Sequence, residues 1–117
     1  MSDVQIYHNP RCSKSRETLA LIEAQGVEPQ VVLYLETPPD AATLQGLVKK
    51  LGFTSARQLM RKKEAEYKAA ALDNPALTEE QLLAAMVAQP KLIERPIVVA
   101  GGRARLGRPP EQVLDIL

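Results

Sequence analysis

The apolar positions of the chain change period several times, and each change predicts an element. Val4 to Tyr7 combine β-branched and aromatic residues and run straight into His8-Asn9-Pro10, a strand entering a turn. From Ser13 to Gln25, Leu19, Leu21, Ile22 and Ala24 recur at roughly helical spacing, and Gly26 supplies the C-terminal stop. QVVLYL, residues 30–35, reads as a second strand. A strand, a helix and a strand in so short a run make a βαβ unit, whose right-handed crossover predicts parallel strands. The turn that follows the first strand then lies at the C-terminal edge of the sheet, where open α/β sheets bind ligands.

From Pro38 to Pro90 the pattern is helical. ATLQGLVKKLG, SARQLMRKK, EAEYKAAAL and TEEQLLAAMVAQ carry periodic Leu, Ala or Met, interrupted by Gly52 and by Asp73-Asn74-Pro75. Thr78 and Gln81 have the spacing of a capping box. Strand character returns in IVVA, residues 97–100, and Gly101-Gly102 turns the chain into RARLG, a hairpin signal. PPEQVLDIL closes the chain as a short helix with proline in its first turn, where a missing N–H costs little. The expected class is therefore α/β, with a helical insertion at about residues 38–90.

A length of 117 residues with 45% apolar content suits a single domain spanning 1–117. Fifteen basic against 14 acidic residues leave a formal charge of +1, so no global field draws the chain to nucleic acid or an anionic membrane. The N-terminus lacks a basic stretch followed by an apolar run, and nowhere is there an apolar run of about 18 residues. The expectation is a cytoplasmic protein with no membrane partner. Lys49, Lys50, Lys62, Lys63 and Lys68 read as solvated helix surface, and Met60 and Met86 as core.

The chemistry concentrates in HNPRCSKSR, residues 8–16, which holds the one cysteine, Cys12. A lone thiol forms no internal disulfide, CxxC pair or multi-cysteine metal site, so any redox role needs an external thiol to regenerate it. At the head of the Ser13–Gln25 helix, unpaired N–H groups and the macrodipole favour the thiolate over the thiol, which otherwise titrates at about pH 8.5. The same N–H groups cradle an oxyanion, with the hydroxyls of Ser13 and Ser15 as further donors. His8 is placed to support the thiolate directly or through the loop, and Arg11, Lys14 and Arg16 make the neighbourhood positive. Against this stands the plain alternative that a single cysteine is a small buried hydrophobe. A tyrosine-phosphatase loop is excluded because it needs Arg at position 18, which is Thr18. A dithiol redox motif is excluded because position 15 is Ser15.

YHNPRCSKSRETL, VVLYLETPP, LMRKKE, LIERPIVV and GRPPEQVL together span nearly the whole chain. In this order they resemble the glutaredoxin-coupled arsenate reductase (ArsC) family, and within it the short YfgD-like branch. The resemblance implies a thioredoxin-like fold with a mixed sheet, and reduction of arsenate to arsenite with glutathione as co-substrate and glutaredoxin as partner. No bound cofactor or metal is implied. Carried over position by position, Cys12 is the nucleophile, and His8 and Ser15 stabilise its thiolate. Arg61, Arg95 and Arg108 hold the oxyanion, and Pro96 is the structural cis-proline. Guanidinium forks suit the oxygens of a tetrahedral dianion. Taken singly, Arg61 is also readable as solvated surface, Arg95 as a cap of the insertion, and Arg108 as a partner of Glu111; Arg103 and Arg105 face either way.

The chain departs from the longer reductases in two places. Cys12 is followed by Ser13-Lys14-Ser15 where they carry small residues, as in CGTS, and the sequence ends with RPPEQVLDIL where they carry a further tail. Two other functions share the same residues: a glutathione-dependent monothiol oxidoreductase of another substrate, and a non-catalytic interaction protein like the Spx-type regulators. The three arginines set beside a thiol are what a pure binding module would not need.

Overall fold

A computed structural model describes residues 4–117; Met1–Asp3, the start of the stretch read for a leader, lie outside the described residues. Four strands form one mixed sheet in the order β2-β1-β3-β4. β1 (Val4–Tyr7) pairs in parallel with β2 (Gln30–Val32) through the βαβ crossover, and antiparallel with β3 (Ile97–Ala100). β3 turns at Gly101, whose φ of 63° suits a residue without a Cβ, into antiparallel β4 (Arg103–Leu106). The fold is α/β and thioredoxin-like. Among the described residues, no helix is long and apolar enough to cross a membrane.

The chain divides into two compact units. The first comprises Met1–Thr37 with Arg95–Leu117 and contains the whole sheet. Its core is built by alternation. Val4 and Ile6 of β1 and Val98 of β3 share a sheet face and pack with Ile22 from α1 (Ser13–Ala24) and with Val113 and Ile116 from the C-terminal segment. That segment, Pro110–Ile116, is a 3₁₀ helix with Pro110 at its first turn, tighter than the ordinary short helix its composition predicts. The second unit, Pro38–Glu94, runs four residues past the expected insertion because a 3₁₀ turn, Pro90–Leu92, and the strand-like Ile93 belong to it. Within it α2 (Ala41–Lys50) packs on α4 (Glu79–Ala88); the first buries Leu44, Leu47 and Val48, the second Leu82, Leu83 and Met86. Met60 is 3% exposed and Met86 fully buried, in keeping with the core reading.

Three helical or extended runs are shorter than their apolar pattern predicts. QVVLYL is a strand only to Val32: the N–H groups of Glu36 and Thr37 both bond to Leu33 C=O, so 33–37 curl into a turn that buries Tyr34 and leaves Leu35 outside. SARQLMRKK gives only a 3₁₀ turn, Ala56–Leu59, because Met60 is extended and bridges to Ile93. EAEYKAAAL gives the five-residue α3 (Ala65–Ala69), stopped by Ala71 at φ 51°, after which Leu72 N–H returns to Tyr67 C=O. Thr78 and Gln81 form the expected capping box, and Asp40 caps α2 through Thr43 N–H at 2.8 Å.

Candidate active site

β1 ends at Tyr7 and delivers His8-Asn9-Pro10-Arg11-Cys12 to the C-terminal edge of the sheet. The loop is tied to itself at three points. Cys12 N–H donates to Asn9 C=O at 3.0 Å, Arg11 N–H to Asn9 Oδ1 at 3.0 Å, and the Arg16 guanidinium to Pro10 C=O at 3.0 Å. These ties set Cys12 as the N-cap of α1, with extended backbone at φ −94° and ψ 124°. An N-cap side chain normally offers oxygen to the free N–H groups of the first turn. Here sulfur stands in that place.

The sulfur makes no close cap hydrogen bond, yet the first-turn N–H groups favour its anionic form. Partial burial pushes the Cys12 thiol up. The Ser15 N–H, the charge of Arg95, the Lys14 N–H and a hydrogen bond from the Arg95 side chain together outweigh burial, and the thiol is held below its ordinary range. Cys12 is half-buried, so it is neither sealed in the core nor swept by solvent.

His8 acts on this turn without a charge. It is buried, and that burial, followed by the nearby positive charge of Arg16, lowers its pKa, so the ring is neutral at physiological pH. Its Nδ1 lies 2.7 Å from Ser15 Oγ, which also accepts the Asn9 N–H at 3.0 Å. Ser15 is fully buried. Its hydroxyl, expected as a donor to a bound anion, is therefore engaged by the loop, and the Ser15 backbone N–H faces the sulfur instead. His8 thus meets the loop through the Ser15 hydroxyl. Lys14 pairs with Glu17 at 3.5 Å on the exposed face.

Arg95 and Pro96 reach the same edge through β3. Ile97 is paired with Tyr7, so the residues just before β3 stand beside the residues just after β1. The Arg95–Pro96 peptide is cis, and Pro96 is buried. Gly107, at the end of β4, donates its N–H to Pro96 C=O at 3.0 Å. A Cβ on Gly107 would lie 2.4 Å from Thr18 Oγ1, 2.7 Å from Pro96 Cγ and 2.9 Å from Thr18 Cγ2. This contact locks the β4 end onto α1 and the cis-proline, and the next residue is Arg108. Arg108 is exposed and makes no hydrogen bond or ion pair among the described residues, so it does not pair with Glu111. A second cis bond, Arg108–Pro109, follows.

Arg61 belongs to the helical unit. There its guanidinium meets Glu64 at 2.7 Å and Glu94 at 3.9 Å, and its N–H bonds to Leu92 C=O at 2.7 Å. Arg61 is thus a partly buried, ion-paired side chain rather than free surface. The geometry joins Cys12, His8, Ser15, Arg95 and Pro96 in one cluster. Sequence reasoning missed Thr18 and Gly107. The signal for the glycine was its place before Arg-Pro-Pro, where no turn called for it.

The chain matches the ArsC family model over residues 7–116. It belongs to the ArsC family. It is 68% identical to the uncharacterized protein YfgD of Escherichia coli K12 over 97% of this chain and 96% of that one. It is 50% identical to an arsenate reductase of Neisseria meningitidis over the full length of both. Among solved structures, the arsenate reductase from Vibrio cholerae superposes with a TM-score of 0.96 at 59% identity, covering 97% of each chain. The match of this ArsC protein to its family covers the Cys12 loop, Arg95-Pro96 and Gly107-Arg108 alike.

Proposed function

We propose that this ArsC protein reduces arsenate to arsenite through Cys12, with glutathione and glutaredoxin as electron donors, as one domain in the cytoplasm, where thiols are kept reduced. The observation that carries the reading is the Cys12 sulfur under the N–H groups of Ser15 and Lys14 and the guanidinium of Arg95. The thiolate attacks arsenic, an S–As bond forms, and one arsenate oxygen takes up protons and leaves as water. Arg95 and Arg108 hold the remaining oxygens and stabilise the charge that builds on them. The motif similarity gives Arg61 the same role. Glutathione thiol condenses at the arsenic, a second oxygen leaving as water as the S–As bond forms, and glutaredoxin thiolate then attacks the glutathione sulfur. The electron pair of the bond between arsenic and the glutathione sulfur passes to the metalloid, so arsenic falls from V to III while two thiols become one disulfide. Water then displaces the Cys12 sulfur, releasing arsenite and regenerating the thiol. The relatives named arsenate reductase at 50% identity support this substrate.

Arsenite production from arsenate with glutathione and glutaredoxin tests it. Native chain should turn over, Cys12→Ser should be inactive, and Arg95→Ala, Arg108→Ala and Arg61→Ala should each fall about 10²-fold or more, the usual loss for an oxyanion donor. Equal activity in all variants would sink the proposal. No arsenite from the native chain, together with deglutathionylation of a test disulfide, would replace it with a monothiol oxidoreductase of another substrate.

A further inference from the structure

A chain with one cysteine takes its second thiol from outside, and that thiol must stand beside the Asn9–Cys12 loop to reach the sulfur or anything bound to it. In the unit that carries Cys12, a groove of about 280 Å³ runs between residues 8–11, which lead directly into Cys12, and the turn that follows β2. Pro10, Leu33 and Leu35 give it an apolar wall, buried His8 lines it, and Arg11 and Glu36 contribute one charge of each sign. Leu35 stands 40% exposed there. The side chains of Arg11 and Glu36 make no hydrogen bond or ion pair among the described residues. Two unspent opposite charges on an apolar wall fit a small zwitterion.

The alternatives fit less well. A second oxyanion would be repelled by Glu36 and gains nothing from two leucines. A docked protein needs roughly 800 Å² on each side, whereas this groove has a volume close to the lower bound of small-ligand sites, which span about 300–1,000 Å³. Glutathione carries an ammonium and two carboxylates on a short peptide, and its thiol is the one the reaction consumes.

We propose that the groove between the Asn9–Cys12 loop and the 33–36 turn is the glutathione site, with a carboxylate on Arg11, the ammonium on Glu36 and the peptide backbone over Leu33 and Leu35. The assignment rests on Cys12 being a nucleophile that works with an external thiol.

S-methylglutathione, which has no reactive thiol, is the binding probe. Titrated into ¹⁵N-labelled protein, it should shift the amides of residues 8–11 and 33–36. Arg11→Glu and Glu36→Lys should each weaken binding roughly two- to fivefold, the upper range for an exposed ion pair. A kinetic arm uses glutathione disulfide: the Cys12 thiolate attacks one sulfur, the old S–S bond breaks, and glutathione thiolate leaves as the mixed disulfide forms. The rate ratio of glutathione disulfide to neutral bis(2-hydroxyethyl) disulfide should fall by the same factor in both variants. A constant ratio, shifts confined to other residues, or shifts produced by reduced glutaredoxin alone would overturn the assignment. Arsenite production with an unchanged KM for glutathione in both variants overturns the groove and leaves the arsenate reading standing. Binding at the groove without arsenite production does the reverse.

Discussion

Replacing Gly107 by alanine tests how the thiol-bearing helix, the cis-proline and the arginine segment are held together. The new Cβ would meet Thr18 Oγ1 at 2.4 Å, Pro96 Cγ at 2.7 Å and Thr18 Cγ2 at 2.9 Å. Comfortable carbon contacts begin at about 3.5 Å, so neighbours must yield by close to 1 Å. They are poorly able to. Thr18 is fully buried in α1, and its hydroxyl donates to Lys14 C=O at 2.7 Å. Pro96 is a buried ring. Overpacking of this kind costs about 1–3 kcal/mol, which for a chain of this size lowers Tm by roughly 5–15 °C. Thr18→Ala removes two of the three clashing atoms, so the double variant should lose about 1 kcal/mol less than the two single losses summed. Urea unfolding of the four proteins measures both quantities. A Gly107→Ala chain within about 0.5 kcal/mol of native, with additive losses, would refute the claim that this contact fixes the corner.

His8 titrates below its ordinary value of 6.5 because burial, and after it the charge of Arg16, disfavour the imidazolium. Below that value the unfolded chain binds more protons than the folded one, so stability falls with acidification until His8 itself protonates; urea midpoints against pH should show this slope in the native chain and lose it in His8→Gln. Ser15→Ala strips the shared partner of His8 Nδ1 and Asn9 N–H, and should cost about 1–3 kcal/mol by urea unfolding. A loss under about 0.5 kcal/mol would show the hydroxyl to be incidental. Arg57 donates to Leu72 C=O and, at 3.0 Å, to Asn74 C=O within the helical unit. Arg57→Ala should speed amide exchange at Leu72 and Asn74 about tenfold while leaving Ile6 and Val98 unchanged; equal acceleration everywhere would mean global destabilisation instead.

The parts of the fold legible in the sequence are those whose local signal and tertiary role agree. Val4–Tyr7, the α1 run and the Gly101-Gly102 hairpin each carry one period and one stop, and each forms as read. SARQLMRKK and EAEYKAAAL show helical period but are cut short where tertiary pairing wins: Met60 bridges to Ile93, and Ala71 takes a left-handed turn so that Leu72 is buried. QVVLYL misled because a run of apolar residues hides the curl that sends Tyr34 in and Leu35 out. In the site, Cys12 at a helix head was readable from the turn residues around it. The neutral state of His8 was not, since it depends on burial and on Arg16, four residues beyond the cysteine. Nor was the Gly107–Thr18 contact, which joins positions 89 residues apart.

The central claim is that Arg95 and the first turn of α1 together hold Cys12 as a thiolate. The rate of Cys12 alkylation by iodoacetamide, followed against pH in native and Arg95→Ala protein, measures this directly. The account predicts a midpoint below that of free cysteine in the native chain, because net stabilisation of the anion moves ionisation to lower pH, and a shift back upward when Arg95 is removed. A native midpoint at or above that of free cysteine, or one that Arg95→Ala leaves in place, would contradict it.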